Sequence, residues 1–392
     1  MRILYIFQDE YPWDVRVEKI TTSLGSAHVV HLLCRNRGSL PAEEQLGQMS
    51  VHRVGGSGLA AISGFPAFFS PWWISAGLSV IRRQGIDLLI VRDLPLCPLA
   101  LVLKKLTGVP VIFDMAEDYP AMIEDTWRYR GPALADYLIR NPRLLRTMEN
   151  LVLPRVDETW VVSAASRDRV MAKSGPGPRV RVIGNTPTID ILDMKPQPDQ
   201  GSLALVYTGF IDATRGLDTV VRALSLARRE GLPATLDVVG TGAALEDIEK
   251  LVAELDLDEF VTFHGWCTQA QLRSVIAACS IGVVPHRVTA HTSTTLPNKI
   301  FDYMALAKPV IVSNARALED VVTEAGCGLV FQDGDPESLL SCLRQLQARE
   351  TREGMGASGR RHVQEQLNWS RDEAVLLDAV RGFPASRSEA RV

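Results

Sequence analysis

The sequence predicts an α/β protein made of two facing, doubly wound Rossmann-like domains. Three observations carry this reading. The chain has 392 residues, more than one compact core accommodates and a natural length for two domains of ordinary size. Short apolar runs alternate with amphipathic helical periods along most of it, and strand–helix repetition of this kind builds a parallel sheet covered on both faces. The alternation pauses near Thr186-Pro187 and again in the polar, proline-bearing piece Pro196-Gln197-Pro198-Asp199-Gln200-Gly201, and then restarts.

The elements follow in order. In the first half, Ile3–Phe7, Val29–Leu33, Leu88–Val91, Pro110–Phe113 and Thr159–Val162 are continuous apolar runs and read as buried strands. Arg16–Leu24, Pro98–Leu106 and Leu144–Leu153 have helical periodicity. After the pause, strands fit Leu203–Tyr207, Thr235–Val239, Val261–Phe263, Ile281–Val284, Pro309–Val312 and Gly328–Phe331. Helices fit Leu217–Arg229, a stretch ending near Leu255, and Glu337–Leu346, the last with Asp335 as N-cap and Pro336 at the first helical position. The expected organisation is a first domain at 1–185, a linker at 186–200 and a second domain at 201–368. A C-terminal helix at 369–384 should cross back to the first domain, and 385–392 form a polar tail. Ligands of such sheets sit at the carboxyl ends of the strands, so two facing domains define a cleft.

Composition narrows the function. Hydrophobic residues make up 46% and charged residues 22%, which is ordinary for a globular chain and argues against disorder. The net charge of −4 argues against a nucleic-acid binder. The six cysteines are scattered without a CxxC pair, so they read as reduced, buried thiols rather than a disulfide framework or a zinc knuckle. The opening apolar run is too short for a signal peptide and reads as a first strand. The 28 residues Val54–Ile81 carry no charge, but Gly55, Gly56, Gly58, Gly64, Pro66 and Pro71 interrupt them, which argues against a membrane span.

Two stretches could carry chemistry. The denser is Pro285-His286-Arg287 followed by His291 through Met304. There a hydroxyl-rich loop runs from a strand end to a helix begun by Pro297 that bears Lys299 and Asp302. Backbone N–H groups at a helix start, with a lysine beside them, suit a phosphate. Asp302 lies three residues on, where a carboxylate accepts from vicinal hydroxyls. Ordinary capping and a solvated Lys–Asp pair is the alternative. The second stretch is Tyr207-Thr208-Gly209-Phe210-Ile211-Asp212-Ala213-Thr214-Arg215-Gly216, a strand entering a glycine turn with a cation before the next helix. Arg215 suits phosphate oxygens.

These residues resemble the GT-B glycosyltransferases of family GT4, retaining enzymes that use nucleotide-sugar donors. The resemblance covers nearly the whole chain. Its strongest part is Thr295-Leu296-Pro297-Asn298-Lys299-Ile300-Phe301-Asp302-Tyr303-Met304-Ala305 through Lys308-Pro309-Val310-Ile311. Tyr207-Thr208-Gly209, Val239-Gly240-Thr241-Gly242, Phe263-His264-Gly265, Asp335 to Leu339, Tyr11 to Glu18 and Phe113 to Pro120 support it.

The resemblance implies that the C-terminal domain holds a nucleotide sugar, UDP- or GDP-linked, and that the N-terminal domain holds a glycan or lipid-linked acceptor. It also implies cell-surface polysaccharide or glycolipid synthesis. Asp302 matches the second acid of the family's E-x7-E motif, which binds the ribose. Arg215 matches the phosphate-clamping lysine, and Lys299 matches a basic residue close to the phosphates. His264, Gly265 and Trp266 fall near the nucleobase pocket. Gly209, Phe210, Gly240, Pro285, His286, Thr294, Thr295 and Leu296 complete the donor side. The resemblance implies no metal and no cofactor, because fixed cations and helix N-termini neutralise the leaving diphosphate.

Three positions depart from the family pattern. Thr294 stands where the first acid of E-x7-E would fall. Phe210 replaces a common arginine, and Ala116 replaces an N-domain histidine. A catalytically weak or inactive scaffold that serves as a partner subunit is therefore the alternative function. Glu117, Asp118 and Asp93 are the spare polar groups of the first domain, suited to orienting an acceptor hydroxyl or taking its proton, or else simple caps.

Asp14 and Arg16, in the N-terminal motif, and the aromatic cluster Phe65, Phe68, Phe69, Trp72 and Trp73 are candidates for acceptor or membrane contact. Arg128 to Arg155 holds six arginines against Asp136 and Glu149, a local charge of +4. Docking of a cytoplasmic protein on an anionic inner leaflet is one reading. A helix packed into the core with its aromatics buried is the other.

Overall fold

The computed structural model describes residues 1–12, 14–38, 40–55, 70–134, 136–175, 179–195, 197 and 201–384. The chain forms two compact units, 1–184 together with the residues from Asp372 on, and 185–371.

The first unit contains β1 (Arg2–Ile6), α1 (Val15–Gly25), β2 (Val29–Asn36), β3 (Glu43–Leu46), β4 (Met49–Gly55), α2 (Pro71–Gln84), β5 (Leu88–Arg92), α3 (Cys97–Thr107), β6 (Val111–Met115), α4 (Tyr119–Arg130), α5 (Asp136–Ile139), α6 (Pro142–Val152), β7 (Glu158–Val161), α7 (Ala164–Ser174) and β8 (Arg179–Val182). Its strands lie in the order β3-β4-β2-β1-β5-β6-β7-β8. All pairs are parallel except the edge pair, in which Glu43 stands opposite His52 in antiparallel register. The central strand β1 is apolar on both faces, and Ile3, Leu4, Tyr5 and Ile6 are fully buried, as a two-sided parallel sheet demands.

The second unit contains β9 (Leu203–Thr208), α8 (Leu217–Arg229), β10 (Ala234–Val239), α9 (Leu245–Glu254), β11 (Val261–Gly265), α10 (Gln269–Ala278), β12 (Ile281–Val284), α11 (Asn298–Ala305), β13 (Val310–Ser313), α12 (Arg316–Ala325), β14 (Gly328–Phe331), α13 (Pro336–Gln345) and α14 (Arg349–Glu365). The strand order is β11-β10-β9-β12-β13-β14, all parallel. Side-chain alternation along β9 shows how both faces are filled. Leu203, Leu205 and Tyr207 enter a core with α8, α9 and α13, while Ala204 and Val206 enter one with α11 and α12. The last helix, α15 (Trp369–Arg381), begins in the second unit and continues into the first, where Asp378 pairs with Arg181 at 2.8 Å.

The two-domain α/β architecture agrees with expectation, and several details differ. In the stretch expected as a linker, the described residues from Asn185 group with the second unit. Ile191 is 1% exposed in that unit's core, and Arg360 Nη2 donates to the Leu192 carbonyl at 2.6 Å. Strands β3, β4 and β8 and helices α4, α5, α7, α10, α12 and α14 were not read from the pattern. Trp73, a candidate for membrane contact, is fully buried in the first unit's core, whereas Trp72 beside it is 50% exposed. Phe65, Phe68 and Phe69 lie outside the described residues. Among the described residues no helix is long and apolar enough to cross a membrane. All six cysteines are free thiols.

Candidate functional site

The second sheet reverses its winding between β9 and β12. Ligands of open α/β sheets sit outside the carboxyl ends of the strands at such a reversal. The chain leaves there through loops 209–216 and 285–297. Gly209 opens the first with φ 109, a conformation natural only to glycine, and a Cβ at this position would lie 3.4 Å from Lys299 Nζ. Gly240 ends β10 with φ 141, and a Cβ there would sit 2.0 Å from the Gly209 carbonyl oxygen. The two turns therefore meet backbone to backbone and keep the mouth of the sheet narrow.

Into this corner fold three basic side chains. Lys299, in the first turn of α11, places Nζ 3.8 Å from the centroid of the Tyr207 ring, a cation–π contact. The ring is fixed from its other end, where the Tyr207 hydroxyl donates to the Phe210 carbonyl at 2.5 Å. Arg215 ends the short turn Ala213–Arg215, which Asp212 caps by accepting the Thr214 N–H. Its Nη1 lies 3.3 Å from His286 Nε2, and its Nε lies 3.7 Å from Asp212. The buried His286 is pinned through its carbonyl by the Ser313 hydroxyl at 2.5 Å. Burial, then Arg215, Lys299 and His291, hold its imidazole well below the ordinary value. It is therefore neutral, and Nε2 accepts from Arg215. Burial and then Arg215 likewise push the Lys299 ammonium well down, with Asp212 working against them. Two cations against one carboxylate in so tight a space disfavour the Lys299 charge and leave a demand for an anion.

The remaining candidates of this unit are distributed around that corner. Phe210 and Trp266 follow the ends of β9 and β11, are 64% and 76% exposed, and face each other with ring centroids 6.4 Å apart. Gly265 has φ 65, and its carbonyl accepts the Gly240 N–H at 2.8 Å. Pro285 is buried at the end of β12, and a Cβ on Gly216 would meet its carbonyl at 2.0 Å. Leu296 packs partly buried against the α11 core. Asp302 lies one turn along α11 from Lys299. Three candidates are turned to other work. His264 Nε2 is held 2.6 Å from Asp237 in the neighbouring strand, so its imidazole is tied along the sheet. Thr294 and Thr295 aim their hydroxyls at the His291 carbonyl at 3.0 and 3.2 Å, which closes the loop turn. Tyr207 under Lys299, and Asp212 and Ser313 behind Arg215 and His286, are supports that pattern reading did not assign.

The first unit has its own reversal, between β1 and β5, and polar groups crowd there. Arg16 is not a surface residue: it is 4% exposed, pairs with the fully buried Asp114 at 2.6 Å and donates to the Ile183 carbonyl at 3.0 Å. Its role is to bind α1, β6 and the end of β8 together. Burial opposes the Asp114 charge, but Arg16, Arg92 and the Tyr5 hydroxyl at 2.6 Å outweigh it and hold the carboxyl low. Asp14 caps α1 by accepting the Val17 N–H and pairs with Arg92 at 3.0 Å. Asp118 caps α4 through the Ala121 N–H and pairs with Arg169 at 3.1 Å. Glu117 is half-buried nearby. Asp93 takes φ 63 and ψ 150 just past β5, a strained conformation for a non-glycine residue. Burial raises its carboxyl to about 6, with Arg92 opposing and Glu117, Asp114 and Asp14 adding to the rise.

Comparison with known proteins bears on the family and the fold. Residues 14–186 match a family model described as a glycosyl transferase 4-like domain, and residues 202–349 match one described as glycosyl transferases group 1. A GDP-mannose-dependent alpha-(1-6)-phosphatidylinositol monomannoside mannosyltransferase of Mycobacterium tuberculosis is 26% identical over 245 residues, 59% of this chain and 63% of that protein. The chain thus spans less than two thirds of that relative's length. A D-inositol 3-phosphate glycosyltransferase of Thermomonospora curvata is 24% identical over 72% of this chain and 68% of its own length. Among solved structures, a sucrose-phosphate synthase from Thermosynechococcus elongatus superposes with TM-score 0.78 at 18% identity, covering 97% of this chain and 98% of that one. Anabaena HepE in complex with UDP superposes with TM-score 0.73 at 12% identity, covering 98% and 100%. These two structures share the fold.

Proposed function

We propose that this chain, which belongs to the GT-B glycosyltransferases of family GT4, moves a sugar with retention from a nucleotide diphosphate to a glycan or lipid-linked acceptor. Cell-surface polysaccharide or glycolipid synthesis is the setting the relatives suggest, since one is named for a phosphatidylinositol mannoside acceptor and a GDP-mannose donor. The observation that carries the reading is the corner formed by Arg215, Lys299 and neutral His286, where two cations are held against one carboxylate at the winding reversal of the second sheet.

Departure of a nucleoside diphosphate develops negative charge on the phosphate oxygens. Arg215 and Lys299, with the N–H groups at the start of α11, are placed to receive it. Their positions are fixed before the anion arrives by the Tyr207 ring and the His286 acceptor, so little reorganisation is needed when it does. Asp302, one turn along α11, suits the ribose hydroxyls. Phe210 and Trp266 offer exposed rings beside the same turn for a flat base or a sugar face. On this reading the departing phosphate takes the acceptor proton, and stabilisation of the leaving group supplies most of the rate enhancement.

Loss of one such donor costs ~10²–10³ in rate. Arg215→Ala and Lys299→Ala should each lower turnover of the cognate donor by that order in folded protein, measured without added divalent metal. Turnover within threefold of the parent for both variants would refute the assignment. Donor binding with no transfer to any acceptor would support the scaffold alternative.

A further inference from the structure

A second basic site lies at the opposite, amino end of the same sheet. Where β12 and β13 begin, a cavity of about 420 Å³ is lined by Gln197, Lys308, Arg352, Glu353, Arg360, Arg361 and Gln364. Four of the lining side chains are cations. The one carboxylate, Glu353, is engaged by Arg349 at 2.7 Å. Lys308, 4% exposed, donates to the Ala277 carbonyl at 2.8 Å. Arg352, 1% exposed, donates to the carbonyls of Leu346 and Gln347 at 2.6 and 2.8 Å. Arg360 donates to the carbonyls of Leu192 and Ala305. These carbonyls fix the positions of the three cations. Arg361 is exposed and makes no ion pair among the described residues.

The wall is built by the helical repeat. Glu353, Ala357, Arg360, Arg361 and Gln364 fall four, seven, eight and eleven residues along α14 from the first, which is one face of a helix. Ala357 leaves space at the centre of that face. At Gly356 a Cβ would lie 2.0 Å from the Ala307 carbonyl oxygen, so the helix can lie against the loop that carries Lys308 only because that position is glycine.

We propose that this cavity is an anion site that takes a phosphate monoester, carried by a soluble phosphorylated solute or by a lipid headgroup. Fixed guanidinium forks suit phosphate oxygens, and the volume lies within the range of about 300–1,000 Å³ that holds small ligands. The site uses none of the residues assigned to the donor and does not depend on that assignment.

The test uses the full chain and two probes, glucose 6-phosphate in calorimetry and vesicles of phosphatidylcholine with or without phosphatidic acid in sedimentation. At least one phosphate-bearing probe should bind, and the double variant Arg361→Glu with Gln364→Glu should weaken that binding at least tenfold. Both positions are exposed, so this variant should keep the parent's thermal unfolding. Arg361→Lys should largely restore binding, and Lys299→Ala should leave it unchanged. Binding of glucose 6-phosphate assigns the site to a soluble solute, and binding of phosphatidic acid vesicles alone assigns it to a headgroup. The proposal is overturned if neither probe binds, if binding survives the double variant, or if Lys299→Ala abolishes it.

Discussion

Two buried or strained residues of the first unit show how the same kind of group serves opposite ends. Arg16 meets Asp114 on two sides and a carbonyl on a third, so its charge is compensated. Removing one partner of a buried pair strands the other and costs about 3–5 kcal/mol. Arg16→Ala should lose that much in denaturant unfolding, whereas a residue that only touched an acceptor would leave stability unchanged. Asp93 is the reverse case. Its carboxyl is raised from 3.8 to about 6, so the folded state binds the proton more tightly than the unfolded chain does. The stabilising contribution is present below pH 4 and is lost as pH rises through about 6. A rise of that size is worth about 3 kcal/mol. Asp93→Asn should therefore be more stable than the parent at pH 8, with the advantage vanishing near pH 4 in unfolding curves at the two values. A pH-independent difference would contradict the raised carboxyl. Strain and a costly charge maintained at the mouth of a sheet are usual marks of a functional position.

At the scale of elements, the apolar strands were plain in the sequence because both of their faces are buried. Ile281–Val284, buried throughout, ends where the pattern ends. Three of the elements that escaped, β3, β8 and α14, carry charge at alternate or irregular positions. Strand β8 reads Arg-Val-Arg-Val at a sheet edge, β3 reads Glu-Glu-Gln-Leu, and α14 has no apolar stripe. Helix α14 is instead held by close backbone approach at Gly356 and by arginines reaching carbonyls, and neither leaves a periodic signal. Helix α2 divides its two tryptophans. Trp73 fills the core and Trp72 faces out. Trp73→Ala should cost about 3–5 kcal/mol of stability, and Trp72→Ala should cost little. Equal thermal shifts for the two would contradict this division.

For the molecule as a whole, the fold and the cations of the candidate site were legible, and the way the site is assembled was not. Arg215 and Lys299 stand out beside glycine turns and helix starts. The partners that define their state come from distant parts of the chain. His286 is 71 residues from Arg215, and the Tyr207 ring reaches Lys299 of helix α11 from strand β9. Only the winding order of the sheet brings them together. The departures at Thr294 and Phe210 acquire a physical content in the same way, since one hydroxyl closes a loop turn and one ring joins Trp266 at the surface. The central claim is that this corner binds a nucleoside diphosphate through its fixed cations. Its most direct test is calorimetric titration of the full chain with UDP and GDP in metal-free buffer, alongside Lys299→Ala. The account predicts saturable binding of at least one nucleotide, weakened tenfold or more by the substitution. Well-folded protein that binds neither, or a Lys299→Ala variant that binds as tightly as the parent, would contradict it.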